Sequence, residues 1–178
     1  MKKVIVFGGS GFLGGYVADE LTRRNFDVTI ADLSESKYLK DNQKYKKVDI
    51  LNIDEILSVM KDASIVYNFS AVAELEEAIE NPKRTFDVNV IGNLNILEAC
   101  KQVGKIDRFI YASSAYALSN EGSFYGISKQ SSEKLTKEYY KKYGLKYTVI
   151  RYGSLYGERA SHNNYIYNLL LNAIKSGE

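Results

Sequence analysis

The sequence predicts an α/β protein built on a doubly wound parallel sheet with helices on both faces. Three observations carry that prediction. Short apolar runs alternate with segments of helical period along most of the 178 residues. The first run, Val4-Ile5-Val6-Phe7, leads straight into a glycine turn, Gly8-Gly9-Ser10-Gly11-Phe12-Leu13-Gly14-Gly15, which opens a helix. An acid, Asp32, ends the second strand, 18 residues after Gly14 and 24 after Gly8. Together they describe a Rossmann-like fold, in which a parallel sheet presents a helix N-terminus to a phosphate.

The elements follow in order. Phe12 to Arg24 reads as a helix, with Phe12, Leu13, Tyr16, Val17 and Leu21 at helical spacing on one face. Asp27 to Ala31 is the second strand. The polar stretch from Ser34 to Gln43 is a loop, and Tyr45 to Val48 is a short strand followed by Asp49-Ile50. Ile53 to Met60 is an amphipathic helix with Ile53, Ile56, Leu57 and Met60 inward. Ser64 to Asn68 is the fourth strand, followed by Phe69-Ser70-Ala71. The small residues there suit either close passage of a ligand or tight packing. Asn81-Pro82 reads as an N-cap with proline at the first helical position, opening a long helix to about Lys101. Phe86, Val90, Leu94, Leu97 and Cys100 mark its apolar side, and Gly92 interrupts it. Asp107 to Ser113 is the fifth strand. Gly126 to Tyr143 is a helix stopped by Gly144, and its first turn can begin a residue or two earlier. Lys146 to Arg151 is the sixth strand, and Tyr165 to Lys175 the last helix.

Bulk properties restrict the function. The length is that of one domain, residues 1–178. A net charge of +2, from 24 basic and 22 acidic residues, gives no reason to expect nucleic acid or an anionic membrane as partner. One cysteine, Cys100, forbids an intrachain disulfide and fits a reducing compartment. No signal-peptide pattern precedes the first strand, and no apolar run approaches the ~20 residues of a membrane helix. A cytoplasmic protein is expected. His162 is the one histidine, so no metal cluster is expected.

The glycine turn has a chemical logic. Gly8 allows the tight turn, Gly11 lets the backbone approach a pyrophosphate, and Gly14 lets helix and strand pack closely. Asp32 sits at the offset of a carboxylate that accepts hydrogen bonds from a ribose diol. It would repel a 2′-phosphate, and Leu33, Ser34 and Glu35 include no arginine to receive one, so NAD is expected rather than NADP. The competing reading makes Asp32 a loop cap and the turn a ligand-free connection.

A second constellation lies further along. Of the 15 tyrosines, only Tyr125 has a lysine, Lys129, four positions later. That spacing puts the pair on one helix face, where an ammonium is expected to lower the phenol pKa and make a general base. Ser113-Ser114 close the fifth strand, and alternation sends their side chains to opposite faces. One hydroxyl there reaches the ligand crevice, or serves as a cap.

On these residues the sequence resembles the extended short-chain dehydrogenase/reductase family, in particular its nucleotide-sugar epimerases and dehydratases. The carriers are Gly8 to Gly14, Asp32, Asp49-Ile50, Asn89-Val90-Ile91-Gly92-Asn93 with Leu97-Glu98-Ala99, Ser113-Ser114, Tyr125-Gly126-Ile127-Ser128-Lys129, and Arg151 to Gly157. The resemblance implies that Ser114 hydrogen-bonds the reacting sugar oxygen. Tyr125 takes the proton from a sugar hydroxyl as hydride leaves the same carbon, and Lys129 holds the nicotinamide ribose and tunes Tyr125. It implies a cofactor site of Gly8, Gly11, Phe12, Leu13, Gly14, Asp32, Asp49, Ile50, Phe69, Ser70, Ala71 and Asn89 besides Tyr125 and Lys129, with Asp49 and Ile50 flanking adenine. A nucleotide sugar is the implied substrate, and a homodimer through the helices carrying Asn89 and Tyr125 is common among relatives.

The sequence also departs from the family pattern. Ser114 and Tyr125 are 11 residues apart, with Ala117-Leu118-Ser119 where relatives have a longer loop. Ser154 stands where relatives carry a substrate-contacting asparagine, and relatives continue beyond residue 178 into a smaller domain that grips the nucleotide sugar. These residues alone are therefore expected to bind substrate poorly. Ala115-Tyr116 follows Ser114 in place of an acidic pair, which favours 4-epimerisation or 4-dehydrogenation/reduction over dehydration. The alternative is a non-catalytic dinucleotide-binding sensor or scaffold. Arg159 is left with two readings, a diphosphate ligand or a surface arginine.

Overall fold

In the computed structural model, which describes residues 1–160 and 164–176, six strands form one sheet. They are β1 (Lys3–Phe7), β2 (Asp27–Asp32), β3 (Lys44–Lys47), β4 (Ala63–Asn68), β5 (Arg108–Ser114) and β6 (Tyr147–Tyr152). All pairings are parallel and the order is β3-β2-β1-β4-β5-β6. The chain winds outward from β1 to β3, then returns to the centre for β4. The switch point therefore lies between β1 and β4, where such sheets open a ligand crevice at the carboxyl ends.

The helices are α1 (Phe12–Arg23), α2 (Ile53–Met60), α3 (Leu75–Glu80), α4 (Pro82–Phe86), α5 (Asn93–Val103), α6 (Ser123–Tyr143) and α7 (Tyr165–Ser176). Strand alternation splits the core into two layers. Ile5, Phe7, Val66, Phe109 and Tyr111 face α2, α5 and α6, meeting Ile56, Met60, Ile96, Leu97 and Tyr139. Val4, Val6, Val28 and Ile30 face α1 at Ala18 and Leu21. Val4 to Phe7 are fully buried on both faces of the sheet, as a central parallel strand requires. Each such apolar side chain contributes about 1.5–3 kcal/mol. The edge strand β3, Lys-Tyr-Lys-Lys, is largely exposed, and its lysines discourage further strand pairing.

The structure differs from expectation in several places. The buried face of α1 is Gly14, Gly15, Ala18, Leu21 and Thr22, rotated from the apolar face read in the sequence. Small residues let α1 sit close to the sheet, and Tyr16 stays 39% exposed. On α2 the buried residues are Ile56, Val59 and Met60. The short helix α3 falls where no element was expected. Asn81 ends α3 and starts α4, but its side chain makes no cap bond; its carbonyl accepts from Thr85 instead. Between α4 and α5 the helix widens to a π segment, Asp87–Gly92. Gly92 lies there because a Cβ would come within 2.4 Å of Ile50 Cδ1. Helix α6 starts at Ser123, three residues before Gly126, and stops at Gly144, which takes φ +70. Cys100 is buried in the core as expected. His162 lies outside the described residues.

Candidate active site

The glycine turn joins the carboxyl end of β1 to α1. Gly8 has φ +72, which glycine adopts without penalty, and a Cβ there would come within 2.5 Å of the Ser70 backbone nitrogen. A Cβ on Gly14 would come within 2.2 Å of the Gly8 carbonyl oxygen. The turn is therefore pressed between its own helix and the segment after β4, Phe69 to Ala71. Phe69 is tied back by its N–H to the Phe7 carbonyl (2.8 Å) and stacks on Tyr67, and Ser70 donates its N–H to Asn68 Oδ1 (3.0 Å). Replacing Gly14 by alanine is expected to lower stability by about 1–3 kcal/mol, because the obstacle is backbone. Urea unfolding would show it, and an unchanged midpoint would mean that the turn can give way.

The residues of this turn fit a dinucleotide phosphate. Among the described residues no side chain caps α1, and no acid lies in its first turn, so its leading N–H groups stay available for an anion. The Ser10 hydroxyl is buried without a hydrogen-bond partner among the described residues, which points to a partner from outside the chain. Gly11 is exposed at the helix entrance, followed by half-buried Phe12 and Leu13.

Asp32, at the carboxyl end of β2, accepts from Ser10 N (3.0 Å, Oδ2) and from Leu33 N (2.7 Å, Oδ1). Each oxygen has one backbone partner and spare lone pairs, so the carboxylate is aimed and still able to accept. At the end of β3, Asp49 N donates to Glu55 Oε2 (2.7 Å) and Asp49 Oδ1 accepts from Leu51 N (2.9 Å). Ile50 points inward instead, packed under Gly92 and 7% exposed, with its carbonyl held by Asn95 Nδ2 (3.0 Å).

The serine, tyrosine and lysine converge where β5 meets α6. Ser114 Oγ accepts from Tyr116 N (3.2 Å), capping the 3₁₀ turn Ala115–Leu118, and the Ser114 side chain also hydrogen-bonds the Tyr125 phenol. That turn closes the short 11-residue path from Ser114 to Tyr125. It packs on Gly122 and Gly126, where a Cβ would come within 2.7 Å of Tyr116 Cβ and 3.0 Å of its carbonyl oxygen. The Tyr116 and Tyr125 rings meet edge to face, 6.4 Å between centroids.

Lys129 is buried, 3% exposed. Its ammonium donates to the Ala112 carbonyl (2.9 Å) and lies 5.1 Å from the Tyr111 ring centroid and 5.6 Å from that of Tyr125. Burial pulls its pKa down to about 8, and the Glu133 carboxylate opposes that fall. The expected lowering of the Tyr125 pKa is not found. Burial raises it, and the Ser114 hydrogen bond offsets only part of the rise. The physical reason is that the crevice desolvates phenol and ammonium alike, while the ammonium is committed to a carbonyl.

Asn89 is buried in the π segment with its amide committed to the chain. Its Oδ1 accepts from Val72 N (2.8 Å), and its Nδ2 donates to the Val72 carbonyl (3.0 Å) and to Ser128 Oγ (2.9 Å). Ser128 Oγ donates to the Tyr125 carbonyl (2.7 Å), and Ser132 Oγ to the Asn89 carbonyl (2.7 Å). Asn89 thus clamps the segment after β4 to the start of α6. Ser128 entered the sequence reading only as part of the resemblance, with no role, and Ser132 was missed, although Ser128 stands three residues after Tyr125 and Ser132 three after Lys129 on the same helix.

Arg159 is not a free surface arginine. Its guanidinium is sandwiched 4.4 Å from each of the Tyr16 and Tyr38 ring centroids and donates to Asp19 Oδ2 (2.7 Å). It fastens the segment after β6 to α1 and to the loop that follows Asp32. Ser154 is exposed in that segment. Among the described residues no group of acids, histidines or cysteines could hold a metal ion, and no helix is long and apolar enough to cross a membrane.

Comparison with known proteins gives the fold and the family. The chain is 31% identical over 175 residues to a putative UDP-glucose 4-epimerase of Methanocaldococcus jannaschii, covering 88% of this chain and 57% of that protein. It therefore spans little more than half the length of that relative. The solved UDP-glucose 4-epimerase of Thermotoga maritima, determined with UDP-glucose, superposes with a TM-score of 0.88 at 27% identity over 99% of this chain and 64% of its own. The UDP-glucose 4-epimerase of Thermus thermophilus, a complex with NAD, gives a TM-score of 0.86 at 27% identity over 96% and 61%. Residues 4–178 match the NAD dependent epimerase/dehydratase family, and with a glycine turn, a strand-end acid and a Ser-Tyr-Lys cluster on one sheet edge, the chain belongs to that family.

Proposed function

We propose that residues 1–178 are the NAD-binding part of an enzyme that oxidises a sugar carbon of a nucleotide-activated sugar, as a 4-epimerase or a 4-dehydrogenase/reductase. The observation that carries this reading is the convergence of Ser114, Tyr125 and Lys129 at the end of β5, joined through Asn89 and Val72 to the segment that presses on the glycine turn. A binding module needs the turn and Asp32; it has no use for a phenol and a buried ammonium beside them. The 4-epimerase activities named for its relatives support the substrate class.

The roles follow from the side chains. The leading N–H groups of α1 and the Ser10 hydroxyl take the pyrophosphate, and Asp32 the adenosine ribose. Asp49, with the Ile50 backbone, and the Phe69-Ser70-Ala71 segment border the cofactor. Ser114 orients the sugar hydroxyl, and Tyr125 takes its proton. Lys129 directs its spare N–H donors at the nicotinamide ribose. Bound NAD supplies the hydride acceptor and a formal positive charge. Together with Lys129 and Ser114, that charge opposes the burial that keeps Tyr125 protonated in the ligand-free chain. The lack of an acid after Ser114 supports epimerisation or dehydrogenation over dehydration. A homodimer through α4 to α6 belongs to the same reading, supported by the exposed Ile91 and Ile127 on those helices.

The test is to identify the nucleotide that leaves the full chain on denaturation and then to incubate the chain with NAD and pairs of nucleotide-sugar 4-epimers. The expected result is NAD in oxidised or reduced form, and either interconversion of one pair or build-up of reduced nicotinamide, which separates the two reactions. A chain that binds no dinucleotide, or prefers NADP, would sink the proposal. NAD bound without turnover would favour the sensor reading.

A further inference from the structure

One cluster beside the site is used by none of these roles. Glu133 accepts from Ser113 Oγ (2.5 Å) and, in bidentate fashion, from Arg151 Nε (2.8 Å) and Nη2 (2.7 Å). We propose that Glu133, held by Ser113 and Arg151, is a positioning residue that locks α6 in register on β5 and supplies the counter-charge to the Lys129 ammonium. The proposal rests on the reading of Tyr125 and Lys129 as site residues.

The geometry is a three-point attachment of α6 to the end of β5. Tyr125, Lys129 and Glu133 follow one another at i, i+4 and i+8, so they stand in a row on one face of α6. Opposite them are three consecutive residues at the end of β5. Tyr125 meets Ser114, Lys129 meets the Ala112 carbonyl, and Glu133 meets Ser113. A slip of one residue would break all three contacts together. Of the three, the Glu133 contact has the most bonds, and it reaches a second strand through Arg151 on β6. A bidentate arginine–carboxylate pair fixes direction as well as distance. The Glu133 side chain is 15% exposed and that of Arg151 42%, so the pair is shielded on the carboxylate side.

Charge adds a second argument. The groups facing Lys129 are Tyr125 and Glu133 on its own helix and Tyr111 on β5, with Arg151 of β6 behind Glu133. Burial pushes the Glu133 carboxyl up, but the hydrogen bonds from Arg151 and Ser113 outweigh it and hold it below the usual carboxylate range. Glu133 is thus an anion through the neutral range, one helical turn from an ammonium that has no other carboxylate facing it among the described residues.

The test uses the full chain without NAD or substrate. Lysine labelled with ¹³C at Cε is titrated by NMR, with the Lys129 signal assigned by its loss in Lys129→Arg. Glu133→Gln keeps an acceptor for Ser113 and removes the charge, and should move the Lys129 midpoint down by about one pH unit. Arg151→Gln leaves the Glu133 charge unneutralised and should move the midpoint up. Opposite shifts support the proposal; an unmoved Lys129 midpoint in both variants, even with a lowered melting temperature, overturns it and leaves an ordinary structural ion pair. Should Glu133→Gln fail to fold, the Arg151→Gln shift alone decides. Adding NAD afterwards keeps the two readings apart: shifts without NAD binding would uphold the latch and refute the cofactor site.

Discussion

Tyr125→Phe is expected to lower turnover of a nucleotide sugar by about 10²- to 10⁴-fold, the range that a positioned acid–base group supplies. At 1.36 kcal/mol per tenfold this is about 3–5 kcal/mol of transition-state stabilisation. The variant removes one oxygen and little else. The ring keeps its edge contact with Tyr116 and its place beside Lys129. The lost partner is the Ser114 hydroxyl, which still caps the 3₁₀ turn. Unfolding free energy should therefore change by no more than about 1 kcal/mol, since a buried polar group is removed together with its hydrogen bond. NAD affinity should hold as well, because Lys129 and the glycine turn are untouched. Turnover at the parent rate would show that Tyr125 is not the base. An equal loss of NAD binding would place the tyrosine in the cofactor site alone.

The parts of this molecule that are legible in sequence are those with a local cause. The glycine turn is written in Gly8 and Gly14, because no other residue fits a Cβ there. The sheet is written in apolar runs buried on both faces, of which Val4 to Phe7 is the clearest. Tyr125 and Lys129 stand out because their spacing is unique among the tyrosines. What escaped depends on the partner across space. The buried face of α1 departs from the stripe of large apolar residues, because close packing on the sheet selects Gly14, Gly15 and Ala18. Ile50 belongs to the core because Gly92 leaves room for it, a fit between residues 42 positions apart. Arg159 finds Asp19, 140 positions away, and two tyrosine faces; nothing in its neighbourhood in sequence announces them. The direction of the Tyr125 pKa escaped for the same reason. The spacing shows a nearby ammonium, but not that the site is dry or that a backbone carbonyl already holds that ammonium.

That dryness sets up the second large effect. Lys129→Met should make the ligand-free chain more stable at pH 7 while destroying the candidate site. In the folded chain the Lys129 pKa falls from 10.5 to about 8. At 1.36 kcal/mol per unit, keeping the ammonium charged in that place costs roughly 3 kcal/mol. Methionine has a similar length, no charge and enough flexibility to fill the space. Against the gain stands the donor lost to the Ala112 carbonyl and the contact with the Tyr111 face, together about 1–2 kcal/mol. The net expectation is a stabilisation of about 1–2 kcal/mol. The pH dependence fixes the cause. Between pH 8 and about 10.5 the unfolded chain holds the lysine proton and the folded chain does not, so the stability of the parent rises with pH across that window. The advantage of the variant should be complete below about pH 8, shrink as pH rises, and turn into a small deficit by about pH 10.5, where only the hydrogen bond lost at the Ala112 carbonyl remains. Urea unfolding at about pH 7 and about pH 10 is the measurement. A variant less stable than the parent at neutral pH would show that Lys129 is a structural residue in a satisfied site. A variant more stable there and unable to hold NAD would show a charge kept in the interior at the expense of the fold; Glu133 is already held by Arg151 and Ser113, so the groups that need that charge are Tyr125 and a ligand.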